Sequence, residues 1–262
     1  MGLAGWCAAG FLLLVTTMAI FAQLLAPHDP EATDLMSIYQ GPSAQHWLGT
    51  DGTGRDIASR LMFGARTALA GPALIIALSL VASVPLALVA AWRGGKTSFL
   101  ISRLFDILFA IPGILLAILA VAMFGTGLTA AVCALAIAYL PYTGRVVLAA
   151  AHRERFLPYV RALEVQGHPA SRITIRHILR NLSPLIAGQA TVAFAYALID
   201  LASLSFLGLA VQPPTPDWGV MVSDRDALLQ GHPMGVISAA VMIVLTVLSL
   251  FTLNTATSGE DL

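Results

Sequence analysis

The sequence predicts an all-α integral membrane protein with six transmembrane helices. Its 262 residues are 58% hydrophobic and 11% charged, with a mean hydropathy of +0.83. Soluble domains carry about 25% charged residues, so this composition excludes an ordinary soluble fold. Six windows reach the roughly 20 apolar residues that a membrane-crossing helix needs. These windows cover residues 3–25, 67–91, 99–124, 128–150, 185–211 and 235–253.

The first window has the position of a signal peptide, but two features argue against that interpretation. It lacks a basic start, and its apolar run is longer than the 7–15 residues of a signal core. We therefore expect a retained helix. We also expect a single domain over residues 1–262, with its core at about residues 67–255.

The placement of Lys and Arg predicts the orientation. Ten of the fourteen lie in or beside the loops after the second and fourth windows, and four lie on the opposite side. Because basic residues accumulate in cytoplasmic loops, we predict that both termini are cytoplasmic. A long outer loop then covers residues 26–66 and a second one residues 212–234. The zero formal net charge predicts no general attraction to nucleic acid.

The long outer loop contains the stretch HWLGTDGTGRDIASRLMFGAR, residues 46–66. Its glycines resemble a phosphate-binding loop, but no G-K-[ST] follows, and its aspartates lack EF-hand spacing. We expect Asp56 to cap a short amphipathic helix whose apolar face excludes Arg60. Such a helix would lie in the membrane interface before the second span, with Trp47 as an interfacial anchor.

The second outer loop contains VQPPTPDWGVM, residues 211–221. Its three prolines favour an extended, stiff conformation. Trp218 is predicted to be a second interfacial anchor. The loop serves either as a rigid turn or in binding, and the sequence leaves both interpretations open.

Two features interrupt the apolar windows. Pro112 and Gly113 predict a kink in the third span, where neighbouring helices must satisfy the freed carbonyls. Asp200 lies near the middle of the fifth window, where an ionised carboxylate costs roughly 2.5–3.5 kcal/mol. It either lines a translocation pathway, or bonds to a neighbouring helix, or lies at a shallower depth. Asp106 is expected to pair with Arg103, three residues earlier.

The cytoplasmic stretch PYVRALEVQGHPASRITIRHILRNL, residues 158–182, is rich in arginine. Pro158 suits a helix start and Gly167 a helix end, and Pro169 opens a second helix. We predict an elbow of two short helices joined at Gly167 and His168. Its arginines either contact anionic lipid or belong to a docking surface for a soluble partner, and the glycine hinge favours docking.

This elbow resembles the "EAA" loop of ABC importer permeases. The whole chain resembles the dipeptide/oligopeptide/nickel permease family, in particular its second, C-type subunit. FDILFAIPGILLAI, SLSFLGLAVQPPTPDWGVM and RHILRN stand in the expected order. The outer-loop signature of that family matches Trp47, Gly49, Asp51, Gly54, Arg55 and Asp56. The loop that docks the ATP-binding subunit matches Tyr159, Arg161, Ala162, Leu163, Glu164, Gly167 and His168.

The resemblance implies a permease subunit in a bacterial cytoplasmic membrane. Its implied partners are a homologous second permease subunit, ATP-binding subunits, a solute-binding protein and the lipid bilayer. ATP and Mg would bind those ATP-binding subunits, and no cofactor is expected in this chain. The cargo would be a peptide or similar small solute, and Asp200 and Pro112 are the candidate pathway residues. We expect no catalytic residue, no metal site and no nucleic-acid binding.

The charges of the elbow depart from the family pattern. Arg161 stands where relatives have glutamate, Leu163 replaces an alanine, and Glu164 stands where a basic residue is common. This apparent exchange predicts a partner with a compensating surface, so Arg161→Glu should disturb assembly.

Two other functions have less support in the sequence. A self-sufficient secondary transporter or channel would need coupling residues in the membrane, for which Asp200 is the sole candidate. An intramembrane enzyme would need a G-x-S turn, an aspartate pair or a zinc motif, and the six apolar windows show none of them. The absence of a P-loop predicts that the chain does not hydrolyse ATP itself.

Overall fold

The computed structural model describes residues 2–258 and confirms the predicted all-α class, since this part of the chain contains helices and no β-strand. The long helices are α1 (Leu3–Ile20), α3 (Ile57–Arg93), α6 (Leu128–Arg155), α9 (Leu179–Phe206) and α12 (Met234–Ser258). The shorter helices are α2 (Ala22–Leu25), α4 (Gly95–Phe109), α5 (Gly113–Phe124), α7 (Pro158–Val165), α8 (Ala170–Ile173), α10 (Trp218–Val222) and α11 (Arg225–Leu229). Within the described residues, five helices are long and apolar enough to cross a membrane, and α4 with α5 makes a sixth span if the bent pair counts as one.

Helix α3 begins as predicted but continues much further. The Asp56 carboxylate accepts the amide of Ser59 at 2.8 Å, which confirms the predicted cap. The prediction of a separate interfacial helix is wrong, because α3 runs without a break to Arg93. Arg60, expected to lie off the packed face, is 3% exposed. It is satisfied inside because its guanidinium donates to the carbonyls of Pro30 and Pro214, each at 3.0 Å.

Trp218 is a core residue, so its prediction as an interfacial anchor is wrong. Its side chain is 1% exposed, and its indole N–H donates to the Leu61 carbonyl at 2.9 Å. Gly64 makes room for the ring, since a Cβ there would lie 2.7 Å from the Trp218 ring. Trp218 therefore joins the second outer loop to α3. Trp47, in contrast, is 54% exposed.

The third predicted span is broken more sharply than a kink. Helices α4 and α5 meet at 79°, and Pro112 directly precedes α5. Phe105 of α4 is fully buried, and its ring lies where a side chain at Gly144 of α6 would be. The expected pair is present, with Arg103 3.4 Å from Asp106, and Arg145 of α6 contacts the same carboxylate.

The second helix of the elbow is not separate from the fifth span. Helix α8 leads through a π-helical turn, Thr174–Ile178, directly into α9, so the chain is helical from Ala170 to Phe206. The predicted window, 185–211, starts too late and ends too late. A hydropathy window detects only the apolar part of a helix, and here the helix continues beyond that part into an arginine-rich segment.

Three apolar clusters hold the bundle together. One joins α1, α3, α10 and α12 around Trp218, and a second joins α3, α5, α6 and α9 around Leu135. The third lies at the arginine-rich end, where α7 and the start of the fifth span pack on α3 and α6 around Ile173. This last cluster positions the elbow.

Candidate functional site

The elbow helix α7 ends in a hydrogen-bonded glycine cap. The His168 amide donates to the Leu163 carbonyl at 3.1 Å, and the Gly167 amide donates to the Glu164 carbonyl at 3.0 Å. This is a Schellman motif, which needs a residue with positive φ, and Gly167 has φ +77°. The predicted helix end at Gly167 is confirmed.

Helix α7 buries one face and presents the other. Val160 is fully buried against Ile173 and Ile178 in the third apolar cluster. The outward face is exposed along its length, and Val165 at its end is 90% exposed. Among the predicted docking residues, Arg161, Ala162, Glu164 and Gly167 are exposed, and Tyr159, Leu163 and His168 are partly buried. Helix α7 thus has a base fixed in the third apolar cluster and an exposed outer face.

Glu154, at the end of α6, fastens the elbow on one side. Its carboxylate accepts the Tyr159 hydroxyl at 2.8 Å and the Asn181 side-chain amide at 2.9 Å. Burial, together with the hydrogen bond to Glu154, raises the pKa of Tyr159 to about 12, so its hydroxyl remains a donor at neutral pH. Three helical segments, α6, α7 and α9, thus share one carboxylate.

Arg155 fastens the other side of the elbow. Its guanidinium lies 2.7 Å from the Glu164 carboxylate and 4.0 Å from the ring centre of Trp92. Glu164 therefore has an ion-pair partner within the chain. Sequence reasoning missed Glu154, Arg155 and Trp92, because they lie on other helices and no local spacing connects them to α7.

The two predicted pathway residues, Asp200 and Pro112, line one groove. This groove has a volume of about 410 Å³ and is walled by α5, α6 and α9. The Tyr139 hydroxyl donates to the Asp200 carboxylate at 2.8 Å. The hydrogen bond to a neighbouring helix, one of the open interpretations, is thus present, and the carboxylate also faces the groove.

Two further tyrosines line the groove and were missed. Tyr142 and Tyr196 meet edge to face, with ring centres 6.4 Å apart. Their spacing was a usable signal, because Tyr142 follows Tyr139 by three residues and Tyr196 precedes Asp200 by four, which places each pair on one helix face.

The residues of the predicted outer-loop signature form a tightly hydrogen-bonded turn. Asp51 accepts the amides of Thr53 at 2.8 Å and Arg55 at 3.0 Å, and Arg55 also donates through its side chain at 2.8 Å. Burial would raise the pKa of Asp51, but these hydrogen bonds outweigh it and hold the pKa below its usual value. Gly49 and Gly54 have φ of +81° and +76°, and a Cβ at either would overlap a backbone carbonyl.

Two known protein families together match most of the chain. Residues 83–257 match the family described as binding-protein-dependent transport system inner membrane component. Residues 4–42 match the N-terminal TM domain of oligopeptide transport permease C. Both matches agree with the resemblance that the motifs indicated.

Several named proteins are similar to this chain over about 80% of their own length. A dipeptide transport system permease from Alkalihalophilus pseudofirmus is 41% identical, over 90% of this chain and 79% of its own. A glutathione transport system permease from Pectobacterium atrosepticum is 38% identical, over 92% of this chain and 81% of its own. A di/tripeptide permease from Pseudomonas aeruginosa is 38% identical over the same two shares.

Proposed function

This chain belongs to the family of binding-protein-dependent transport system inner membrane components, and on that premise we propose that it forms half of the pathway of an ATP-driven importer for small peptides. The proposed cargo rests on the relatives, which are named for dipeptides, di- and tripeptides and glutathione. Family membership argues against a self-sufficient secondary transporter. Transport should stop when ATP is depleted while ion gradients are held constant.

The proposed partners follow from the two faces of the bundle. A homologous second permease subunit would close the pathway, since Tyr196 and Phe109 in the groove are about half exposed. ATP-binding subunits, carrying ATP and Mg, would bind the arginine-rich face, and a solute-binding protein would deliver cargo to the opposite face. The family supports a bacterial cytoplasmic membrane location, and the distribution of Lys and Arg supports cytoplasmic termini.

The elbow is the proposed docking site for an ATP-binding subunit. Its rigid base and exposed outer face, with Arg161, Ala162 and Val165, are the single observation that carries this assignment. Because α8 is continuous with α9, a push on the elbow would move the fifth span as a rigid body. ATP binding could thereby open and close the groove beside Asp200.

Charge reversal at Arg161 tests the docking assignment. Arg161→Glu should lower the amount of ATP-binding subunit that co-purifies with the chain, and transport should fall with it. Lys96→Glu is the matched control, since Lys96 is also an exposed basic residue on the side predicted to be cytoplasmic but lies away from α7. Native co-purification and native ATP hydrolysis in Arg161→Glu would overturn the assignment.

Replacement of Asp200 tests the pathway. Asp200→Asn keeps an acceptor for the Tyr139 hydroxyl but removes the charge, so the complex should assemble and transport should fall. Tyr139→Phe leaves the Asp200 charge and removes its hydrogen bond. Comparison of the two variants separates the effect of the charge from that of the hydrogen bond. Wild-type transport by Asp200→Asn would remove Asp200 from the proposed pathway.

A further inference from the structure

Two histidines and an aspartate meet on the outer surface, where α3 begins. His28, His46 and Asp56 each offer one ligand atom, and these three atoms lie within 4.8 Å of one another. The Asp56 Oδ1 atom is 2.9 Å from His46 Nδ1 and 3.9 Å from His28 Nδ1. The sequence predicted no metal site, because these positions show no regular metal-ligand spacing.

The fold anchors this group at the cap of α3. The Asp56 side chain is 1% exposed, and its Oδ2 accepts the Ser59 amide at 2.8 Å and the Ser59 hydroxyl at 2.7 Å. The His28 backbone amide donates to the same hydroxyl oxygen at 3.1 Å. Oδ1 is therefore held toward the two imidazoles, and the backbone of His28 is tied to the same network.

We propose that His28, His46 and Asp56 form a Zn²⁺ site. Two imidazole nitrogens and one carboxylate oxygen are a usual donor set for this ion, with a fourth position open to water. Ca²⁺ and Mg²⁺ prefer oxygen ligands, so they should compete poorly.

The site has to close to bind the ion, since its three ligand atoms are spread over up to 4.8 Å. Tetrahedral ligands at bond lengths of about 2.0–2.2 Å lie about 3.3 Å apart. The His46–Asp56 pair is already closer than this, and the His28–Asp56 pair is slightly wider. The His28 side chain is 40% exposed and stacks on His46 with ring centres 4.7 Å apart, so it has room to turn toward the ion.

Zn²⁺ at this position would hold the two ends of the long outer loop together. His28 lies shortly after α2, and Asp56 starts α3, so the ion would join the beginning of the long outer loop to its end. An ion that binds the folded chain alone raises its stability. The consequence to measure is a Zn²⁺-dependent rise in the unfolding temperature.

The test uses the complete purified complex in lipid nanodiscs, without a histidine tag, and Zn²⁺ as the probe. His28→Phe keeps an aromatic ring against His46 and removes one ligand. His232→Phe is the matched control, because His232 also stacks on an aromatic ring in the outer loops, that of Tyr39, at 4.6 Å. Zn²⁺ binding is measured by titration calorimetry and by metal analysis after dialysis.

The wild type and His232→Phe should bind one more Zn²⁺ per chain than His28→Phe, or bind it at least about tenfold more tightly. Zn²⁺ should raise their unfolding temperature and leave that of His28→Phe unchanged. Excess Ca²⁺ should not displace the ion. Equal Zn²⁺ binding by the wild type and His28→Phe would overturn the proposal and leave the three residues as a hydrogen-bonded stack.

Discussion

Removing the Tyr159 hydroxyl should loosen the elbow without unfolding the bundle. Tyr159→Phe keeps the ring packed in the third apolar cluster and deletes the donor to Glu154 at 2.8 Å. A hydrogen bond to a charged group contributes about 1.5–3 kcal/mol when well buried. Tyr159 is partly buried and Glu154 keeps its bond from Asn181, so we expect about 1–1.5 kcal/mol.

This free energy converts into a measurable opening of α7. Since 1.4 kcal/mol is a factor of ten in an equilibrium, the backbone N–H groups of residues 159–165 in α7 should exchange hydrogen about five to ten times faster. Hydrogen exchange of the complex in nanodiscs, read by mass spectrometry, measures this directly. Transport per ATP hydrolysed should fall in the same variant, because a loosened elbow transmits less of the movement.

Controls define what would refute the reasoning. Tyr142→Phe removes a hydroxyl from the groove, far along α6 from the elbow, and should leave hydrogen exchange in α7 unchanged.

Because the pKa of Tyr159 is raised to about 12, the stability contributed by its hydroxyl is present below the unfolded pKa near 10 and is lost only as the pH rises through the folded pKa. The difference between the wild type and Tyr159→Phe should therefore be constant between about pH 6 and pH 9. Identical exchange in the two proteins would refute the role of Glu154 as the fastening point.

Three further predictions concern packing and charge. Gly64→Ala should lower the unfolding temperature, because the added methyl group would overpack against Trp218 at a cost of about 1–3 kcal/mol. Gly10→Ala is the control, since its Cβ would meet open space, and it should be neutral or stabilising. Equal unfolding temperatures of the two variants in detergent would contradict this. Gly167→Ala should destabilise α7 by about 1–2 kcal/mol, because Gly167 has a positive φ that alanine adopts only with strain. Hydrogen exchange in α7 should then be faster, and an unchanged exchange rate would show that the Schellman motif does not stabilise this helix end. Burial raises the pKa of Asp217, so the stability of the wild type relative to Asp217→Asn should fall as the pH rises above the unfolded pKa of about 4 and through the raised folded pKa. An equal pH dependence of the two unfolding temperatures would contradict this.

Local chemistry accounts for the features that the sequence predicted correctly. Asp56 caps α3 and Gly167 ends α7, because each effect depends on backbone groups within a few residues. The break before Gly113 follows in the same way from a proline that cannot continue the helix. The size of the bend, 79°, was not predictable, because it depends on how Phe105 packs against α6.

Burial between distant segments accounts for the features that the sequence missed. Arg60 and Trp218 looked like surface residues, since their own neighbours give no sign of the carbonyls and the glycine that receive them. Local sequence also gives no sign that the Glu154 carboxylate accepts hydrogen bonds from Tyr159 and Asn181, or that His28, His46 and Asp56 lie together.

The sequence by itself determined the membrane class, the number of apolar segments and the two helix ends at Asp56 and Gly167, because these depend on composition and on contacts within one turn of helix. It also indicated the family, through motifs along most of the chain. The tertiary structure alone decided which polar side chains are satisfied inside the bundle, that the elbow is continuous with α9, and that Asp200 faces a groove lined by tyrosines. The physical reason is that burying a polar group is tolerated only where a partner waits for it, and those partners are set by the packing of distant helices.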